Sequence, residues 1–309
     1  METDKPLLQI LLSTYNGEKY LREQLESYFR MDGFEKCCVL IRDDGSTDTT
    51  RDILQKYEKY GQFEIEYGSN IGVNGSYEWL VKNSDSKCEY FAFSDQDDVW
   101  CSDKIKKAIS ALKHSPQDEI ALFASRSCIT DEALKKIGIS TYPQRGISFY
   151  NAMVQNVLPG HTQVFNRAMR NSLATFGFSR AECVDWWLYL LASSMGKIYF
   201  DPSCTVLHRQ HIANAVGYQL GILEKYRKKA RYVKDGKANS ISIQLQSFYD
   251  IYSAYLSEEY RIEIENYLNS LTSLSQRIRY LQSCKFYRQS KYEDWAVHIL
   301  YLVGKYNIA

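Results

Sequence analysis

Four short apolar runs alternate with amphipathic stretches in the first hundred residues, and this pattern leaves little choice of fold. Leu7–Leu12 reads as a buried strand, and Glu18–Tyr28 places apolar residues at 20, 21, 25 and 28, a helical spacing. Cys38–Ile41 is a second strand, followed by a helix over Asp48–Tyr60 with Ile53, Leu54 and Tyr57 inward. Phe63–Tyr67 is a third strand, Ser76–Lys82 opens a third helix, and Tyr90–Phe93 is a fourth strand. This alternation predicts an α/β fold: a mostly parallel, Rossmann-like sheet with helices on both faces. Such sheets bind ligands beyond the carboxyl ends of their strands, where the polar motifs of this chain fall.

Residues 101–215 are less regular. Helices are expected at Lys104–His114 and Asp185–Ser193, and strands at Ile120–Ser125, Gln163–Phe165, Ile198–Phe200 and Thr205–His208. From about 216 the pattern is entirely helical. The 309 residues are 45% hydrophobic with a formal net charge of +1, so the chain is globular and lacks a global basic field for nucleic acid. The charge is uneven, because residues 216–309 hold 14 Lys+Arg against 9 Asp+Glu, and seven of the basic residues lie in Lys225–Lys237. No apolar run reaches ~18 residues, so no spanning helix is expected. The short polar Met1–Pro6 predicts no signal peptide, hence a cytoplasmic location. Eight cysteines without a CxxC pair or zinc spacing read as reduced thiols.

Four loops carry the chemistry. Ser13-Thr14-Tyr15-Asn16-Gly17 is a tight turn whose hydroxyls and amide can bond a ligand, or simply a helix entry. Asp43-Asp44-Gly45-Ser46-Thr47-Asp48 supplies a helix cap and leaves Asp43 and Asp44 as spare carboxylates, one of which can accept the N3–H of a pyrimidine. Asn70-Ile71-Gly72-Val73-Asn74-Gly75-Ser76 is a turn into a helix whose N-terminus could face an anion, and it is not a P-loop because no Lys-Ser/Thr pair follows. Ser94-Asp95-Gln96-Asp97-Asp98-Val99-Trp100 packs three carboxylates into four residues. Their mutual repulsion calls for hydrogen bonds or a hard divalent cation, which could also bridge to a diphosphate.

In this order and spacing, the four motifs resemble the family-2 glycosyltransferases of the GT-A fold, over about residues 7–217. The resemblance implies a catalytic domain over 1–217, with a nucleotide-sugar half (1–100) and an acceptor half (101–217), and a helical C-terminal extension over 218–309. It places donor contacts on Thr14, Tyr15, Asn16, Glu18, Asp44, Asn70 and Asp95. It assigns Asp95 and Asp97 to Mg2+ or Mn2+. The Gly160-His161-Thr162 turn resembles the acceptor side, and Asp185 aligns with the general base. Trp186 and Trp187 could offer flat faces to an acceptor sugar, or serve core packing. His208-Arg209-Gln210-His211 resembles the closing motif of bacterial rhamnosyltransferases, which implies His211 on the metal and Arg209 on the diphosphate. His114 and His298 lie outside any motif.

The implied reaction is an inverting, metal-dependent transfer. The donor implied is dTDP-β-L-rhamnose and the acceptor a saccharide, lipid-linked, of bacterial surface polysaccharide. A UDP-hexose donor such as UDP-galactose is the alternative, and a catalytically silent sugar-nucleotide-binding subunit ranks below it. In the tail, Tyr226–Val233 is basic with interleaved aromatics, and Trp295–Tyr306 is an apolar helix too short to span a bilayer. The pair suits an anionic membrane surface, at the inner face of the plasma membrane, or packing on the catalytic domain or on a second subunit in a homodimer.

Overall fold

The computed structural model describes residues 6–178, 180–211 and 239–308. Its chain forms two compact units. One comprises residues 1–142, 158–179 and 196–215, and the other 143–157, 180–195 and 216–309. The basic stretch Tyr226–Val233 lies outside the described residues.

Among the described residues the first unit holds a nine-stranded sheet. Strands β1 (Leu8–Thr14), β2 (Cys37–Asp43), β3 (Phe63–Tyr67) and β4 (Tyr90–Ser94) are parallel, in the order β3-β2-β1-β4. β1 lies between two neighbours and under helices, so Leu8, Ile10, Leu11 and Leu12 are all fully buried. That two-sided burial is why the strand reads as a continuous apolar run and does not alternate.

The far half of the sheet is mixed. It contains β5 (Val99–Trp100), β6 (Ile120–Thr130), β7 (Lys136–Ile139), β8 (Val164–Asn166) and β9 (Gly196–Arg209). β4–β8, β6–β8, β6–β7 and β5–β9 are antiparallel, whereas β6–β9 is parallel. The two strands expected between 198 and 208 are one strand, Gly196–Arg209. Its pairing with β6 shifts register twice, where Pro202 and Ser203 and then Thr205 are left out of the ladder; proline has no N–H to give it.

Helices α1 (Leu21–Phe29), α2 (Thr50–Gln55), α3 (Gly72–Asn83) and α4 (Lys104–Leu112) follow their strands. α1 buries Leu21, Leu25 and Tyr28, four and three residues apart, as the sequence spacing demands. α3 starts at Gly72, four residues earlier than expected. The N–H groups of Ile71 and Gly72 both donate to the Asp44 carboxylate, at 2.9 Å each, so this helix is capped from another loop.

Among the described residues the second unit is helical: α5 (Phe149–Ala152), α7 (Val184–Met195), and the helices Ser240–Tyr252, Glu258–Ser270, Leu274–Leu281 and Lys291–Leu302. The remaining helix, α6 (Arg167–Phe176), belongs to the first unit. Many of the chain's tyrosines find their use in the second unit. Tyr252, Tyr267, Tyr280, Tyr301 and Tyr306 are buried there. Their hydroxyls reach internal partners, as in Tyr280 to Glu263 at 2.6 Å and Tyr267 with Ser242 at 2.9 Å. No helix among the described residues is long and apolar enough to cross a membrane. All eight cysteines are free thiols.

Candidate functional site

The parallel strands end together at Thr14, Asp43, Tyr67 and Ser94, so the four loops that follow meet at one edge of the sheet. Hydrogen bonds knit them. The Thr14 hydroxyl and the Tyr15 N–H both donate to Gln96 Oε1, at 2.6 and 2.9 Å, and Gln96 Nε2 donates to the Tyr15 carbonyl. Asn16, at φ 47°, gives its N–H to Ser46 and accepts from the Thr47 N–H. Glu18 accepts from both the N–H and the hydroxyl of Thr49. Thr14 is buried, whereas Tyr15, Asn16, Glu18 and Asn70 are exposed at the rim.

Neither acid of the second motif is spare. Asp43 is buried and accepts from Arg51 Nε at 2.7 Å and from the Ser46 N–H at 3.1 Å. Asp44, also buried, pairs with Arg42 and holds the start of α3. The reason is Arg42 itself. Its side chain is only 5% exposed, and a charge so placed must be paired. Arg42 also donates to the Ser69 carbonyl at 2.9 Å. Gly68 makes that approach feasible, since a Cβ there would collide with the guanidinium.

The fourth motif collects imidazoles. Asp98 is fully buried; its Oδ1 meets His208 Nδ1 at 2.9 Å and accepts the Arg209 N–H at 3.1 Å. Its other oxygen, Oδ2, is buried with no hydrogen-bond partner among the described residues, and His161 Nδ1 lies 3.8 Å away. The rings of His161 and His208 stack at 4.3 Å, and His161 Nε2 is 2.9 Å from the Ser127 hydroxyl. Asp98, His161 and His208 thus offer three ligand atoms within 4.8 Å of one another. Asp95 lies 3.7 Å from His161 and accepts from the Tyr77 hydroxyl at 3.1 Å. Asp97 pairs with His211 at 2.7 Å.

These groups reset one another's acidity. Burial and the charges of Asp98 and Asp95 push the Asp97 carboxyl up to about 6, against the pull of His211. Burial opposes ionisation of Asp95 too, but His161, His208 and the Tyr77 hydroxyl hold it below the usual range. Burial also opposes charging of His208, yet Asp98, Asp95 and Asp97 together raise it. A buried carboxylate oxygen without a partner among the described residues, beside two imidazoles, is a mixed oxygen-and-nitrogen donor set that fits a divalent transition-metal cation better than the all-oxygen preference of Mg2+.

Several expected contacts have other partners. Arg209 is buried; its guanidinium donates to the Asp97 carbonyl at 3.1 Å, to the Glu132 carbonyl and to Glu23, and lies over the Tyr20 ring. That is a positioning arrangement, not an open diphosphate contact. His161, expected on the acceptor side, belongs to the acid cluster. Thr162 is buried and spends its hydroxyl on the Pro159 carbonyl at 2.8 Å, whereas neighbouring Gly160 is partly exposed. In the second unit, Asp185 is half-buried in the first turn of α7 and accepts the Trp186 N–H at 2.9 Å. Trp187 is fully buried against Phe248 and Tyr252, and Trp186 is 8% exposed with its indole N–H on the Ala152 carbonyl. Core packing is therefore their role; neither presents a ring face to a sugar.

Three contributors escape the sequence pattern. Gln96 is a neutral amide inside an acidic string, and that placement was its only signal. Arg42 stands directly before two acids, so an ion pair could have been read there. Lys104 falls four and eight residues before inward Ala108 and Leu112, hence on the buried face of α4. It donates to the His161 carbonyl and lies 3.4 Å over the Trp100 ring. Burial pushes its pKa well below the usual lysine range, against Asp98 and Asp95.

Residues 9–174 match the description of Glycosyl transferase family 2, over half of the chain. The chain belongs to that family. A glycosyltransferase is therefore what the four loops build. Among curated relatives, the chain is 28% identical to "dTDP-rhamnosyl transferase RfbG" of Shigella flexneri, covering 70% of this chain and 77% of that one. It is also 28% identical to the "Putative teichuronic acid biosynthesis glycosyltransferase TuaG" of Bacillus subtilis, covering 56% and 71%. The fold is similar to that of S. aureus TarS 1–349 in complex with UDP-GlcNAc, with a TM-score of 0.55 at 14% identity over 97% and 89% of the two chains. It is likewise similar to the mannosyltransferase PcManGT from Pyrobaculum calidifontis in complex with GDP-Man and Mn2+, with a TM-score of 0.54 at 14% identity over 98% and 86%.

Proposed function

We propose that this family-2 glycosyltransferase moves L-rhamnose, with inversion, from dTDP-β-L-rhamnose to a lipid-linked saccharide of bacterial surface polysaccharide. The transfer chemistry rests on the acid–imidazole cluster at the strand ends, centred on the unpartnered Asp98 Oδ2. The choice of rhamnose is supported by the relative named a dTDP-rhamnosyl transferase, and the setting by that relative and TuaG.

Asp95, Asp97 and His211, the set the resemblance implies, or the triad Asp98, His161 and His208 would hold the divalent ion. When bound, the ion neutralises charge gathering on the leaving diphosphate. Asp44 would serve the base side of the donor through its hold on Arg42 and the start of α3, while Thr14, Tyr15, Asn16, Glu18 and Asn70 frame the nucleoside. Asp185 would take the proton of the acceptor hydroxyl as that oxygen attacks the anomeric carbon from the face opposite the nucleotide. The Gly160–Gln163 turn would set the acceptor in line, which is an orientational contribution. Residues 1–100 would serve the donor, joined at the acid cluster by His161, His208 and His211; the rest of 101–217 would serve the acceptor, and 218–309 would extend the enzyme.

A nucleotide-sugar panel with Mn2+ or Mg2+, scored by nucleotide release with and without acceptor extract, tests this reading. Release from dTDP-rhamnose that EDTA abolishes is the expected result. Release from a UDP-hexose alone would overturn the rhamnose assignment, and no release from any donor would favour the silent-subunit reading.

Titration of Asp97 yields a further expectation. Its folded-state pKa of about 6 lies above that of an unfolded aspartate, so the native chain holds the proton longer. That contribution favours the folded state at low pH and is lost as pH rises towards 6 and beyond. A divalent cation held beside Asp97 would favour its ionised carboxylate. Stabilisation by Mn2+, measured as a rise in Tm, should therefore be larger at pH 7.5 than at pH 5. An equal rise at both would separate Asp97 from the cation.

A further inference from the structure

The second unit ends in a helix with two sharply different faces. In Lys291–Leu302, Val297 and Tyr301 point inward and are 3% and 1% exposed. On the opposite side Tyr292, Trp295, Ile299 and Val303 are 87%, 71%, 54% and 62% exposed. Their spacing of three, four and four residues lines them up along one stripe of about 16 Å. Single exposed apolar residues need no explanation, but four aligned ones including Trp and Tyr do.

Charge along this helix is sorted in the same sense. Its two carboxylates turn away from the stripe and are paired within the unit, Asp294 with Arg145 at 2.8 Å and Glu293 with Arg288 at 3.8 Å. The exposed charges that flank the stripe are Lys291 and Lys305. The outward face thus consists of apolar side chains between two lysines, without an acid. A stripe of this kind suits an interface that is apolar below and anionic above. A protein surface would need matching apolar area, which a single 12-residue helix does not by itself specify.

We propose that this face lies in the surface of an anionic lipid bilayer, with Trp295 and Ile299 inserted at the level of the head groups and Lys291 and Lys305 on lipid phosphates. The excess of Lys+Arg over Asp+Glu in residues 216–309 adds attraction of the same sign. Binding to lipid needs neither donor nor acceptor, so the inference stands or falls apart from the rhamnose reading.

The test is cosedimentation of the full chain with phosphatidylcholine vesicles, with and without about one-third phosphatidylglycerol. The chain should pellet with the phosphatidylglycerol vesicles and be released by high salt. Trp295→Ser with Ile299→Ser should weaken partition by about 100-fold, since two whole apolar side chains leave the lipid. A second pair, Tyr292→Ser with Val303→Ser, should weaken it in the same direction. The variants' Tm should stay at the parent value, because the side chains are exposed. Unchanged vesicle binding by both pairs would overturn the proposal, as would no binding by the parent. A concentration-dependent dimer abolished by the same pairs would also overturn it, by giving the face to a second copy.

Discussion

Asp185→Asn is expected to lower turnover by about 10²–10⁴-fold, the range over which a positioned general base acts. The substitution is mild. Asp185 sits in the first turn of α7 and accepts the Trp186 N–H through Oδ1, a bond that an asparagine carbonyl can keep. Helix, packing of Trp186 and donor binding should all survive. The loss should therefore fall on kcat and leave the donor KM in place, the pattern of an interaction made in the transition state. Near-native kcat in a variant that melts like the parent would remove Asp185 from the mechanism.

Arg42→Ala is expected to cost about 3–5 kcal/mol of folding stability, as when one partner of a buried ion pair is removed. Asp44 would be left as a buried charge with only two backbone N–H donors, from Ile71 and Gly72. The Ser69 carbonyl would lose its donor as well. Because Asp44 also starts α3, the damage should spread to that helix and to the rim above it. Urea denaturation measures the change. Lys82→Ala, which breaks the exposed pair with Glu78, is the control and should cost at most about 0.5 kcal/mol. If both substitutions cost the same, the ion pair at Arg42 has no special standing.

Much of the first unit was legible because its strands carry apolar side chains on both faces. Leu8–Thr14 and Tyr90–Ser94 could hardly be anything else. What escaped depends on partners distant in sequence. The start of α3 is fixed by Asp44, which no pattern inside residues 70–83 announces. The continuity of β9 depends on a bulge that lets Pro202 stay in a strand. Trp186 and Trp187 could be read as sugar platforms until helix Ser240–Tyr252 was seen to cover Trp187. His161 was assigned by its neighbours in the Gly160–Thr162 turn, yet its ring belongs with Asp95 and Asp98, more than sixty residues earlier. The acidic motif was legible as a cluster in need of charge compensation. Which histidines would compensate it was not, because that is a matter of how β9 lies beside β5 and β6.

That alignment makes the second register shift, at Thr205, a phase-setter for the cluster. Beyond it, Val206 and Leu207 pair with Trp100 and Val99, and His208 comes to face Asp98. Side chains on a strand alternate between faces, so a slip of one residue would turn His208 away and bring a neighbour in its place. A single residue outside the ladder, Thr205, thereby decides which side chain meets Asp98.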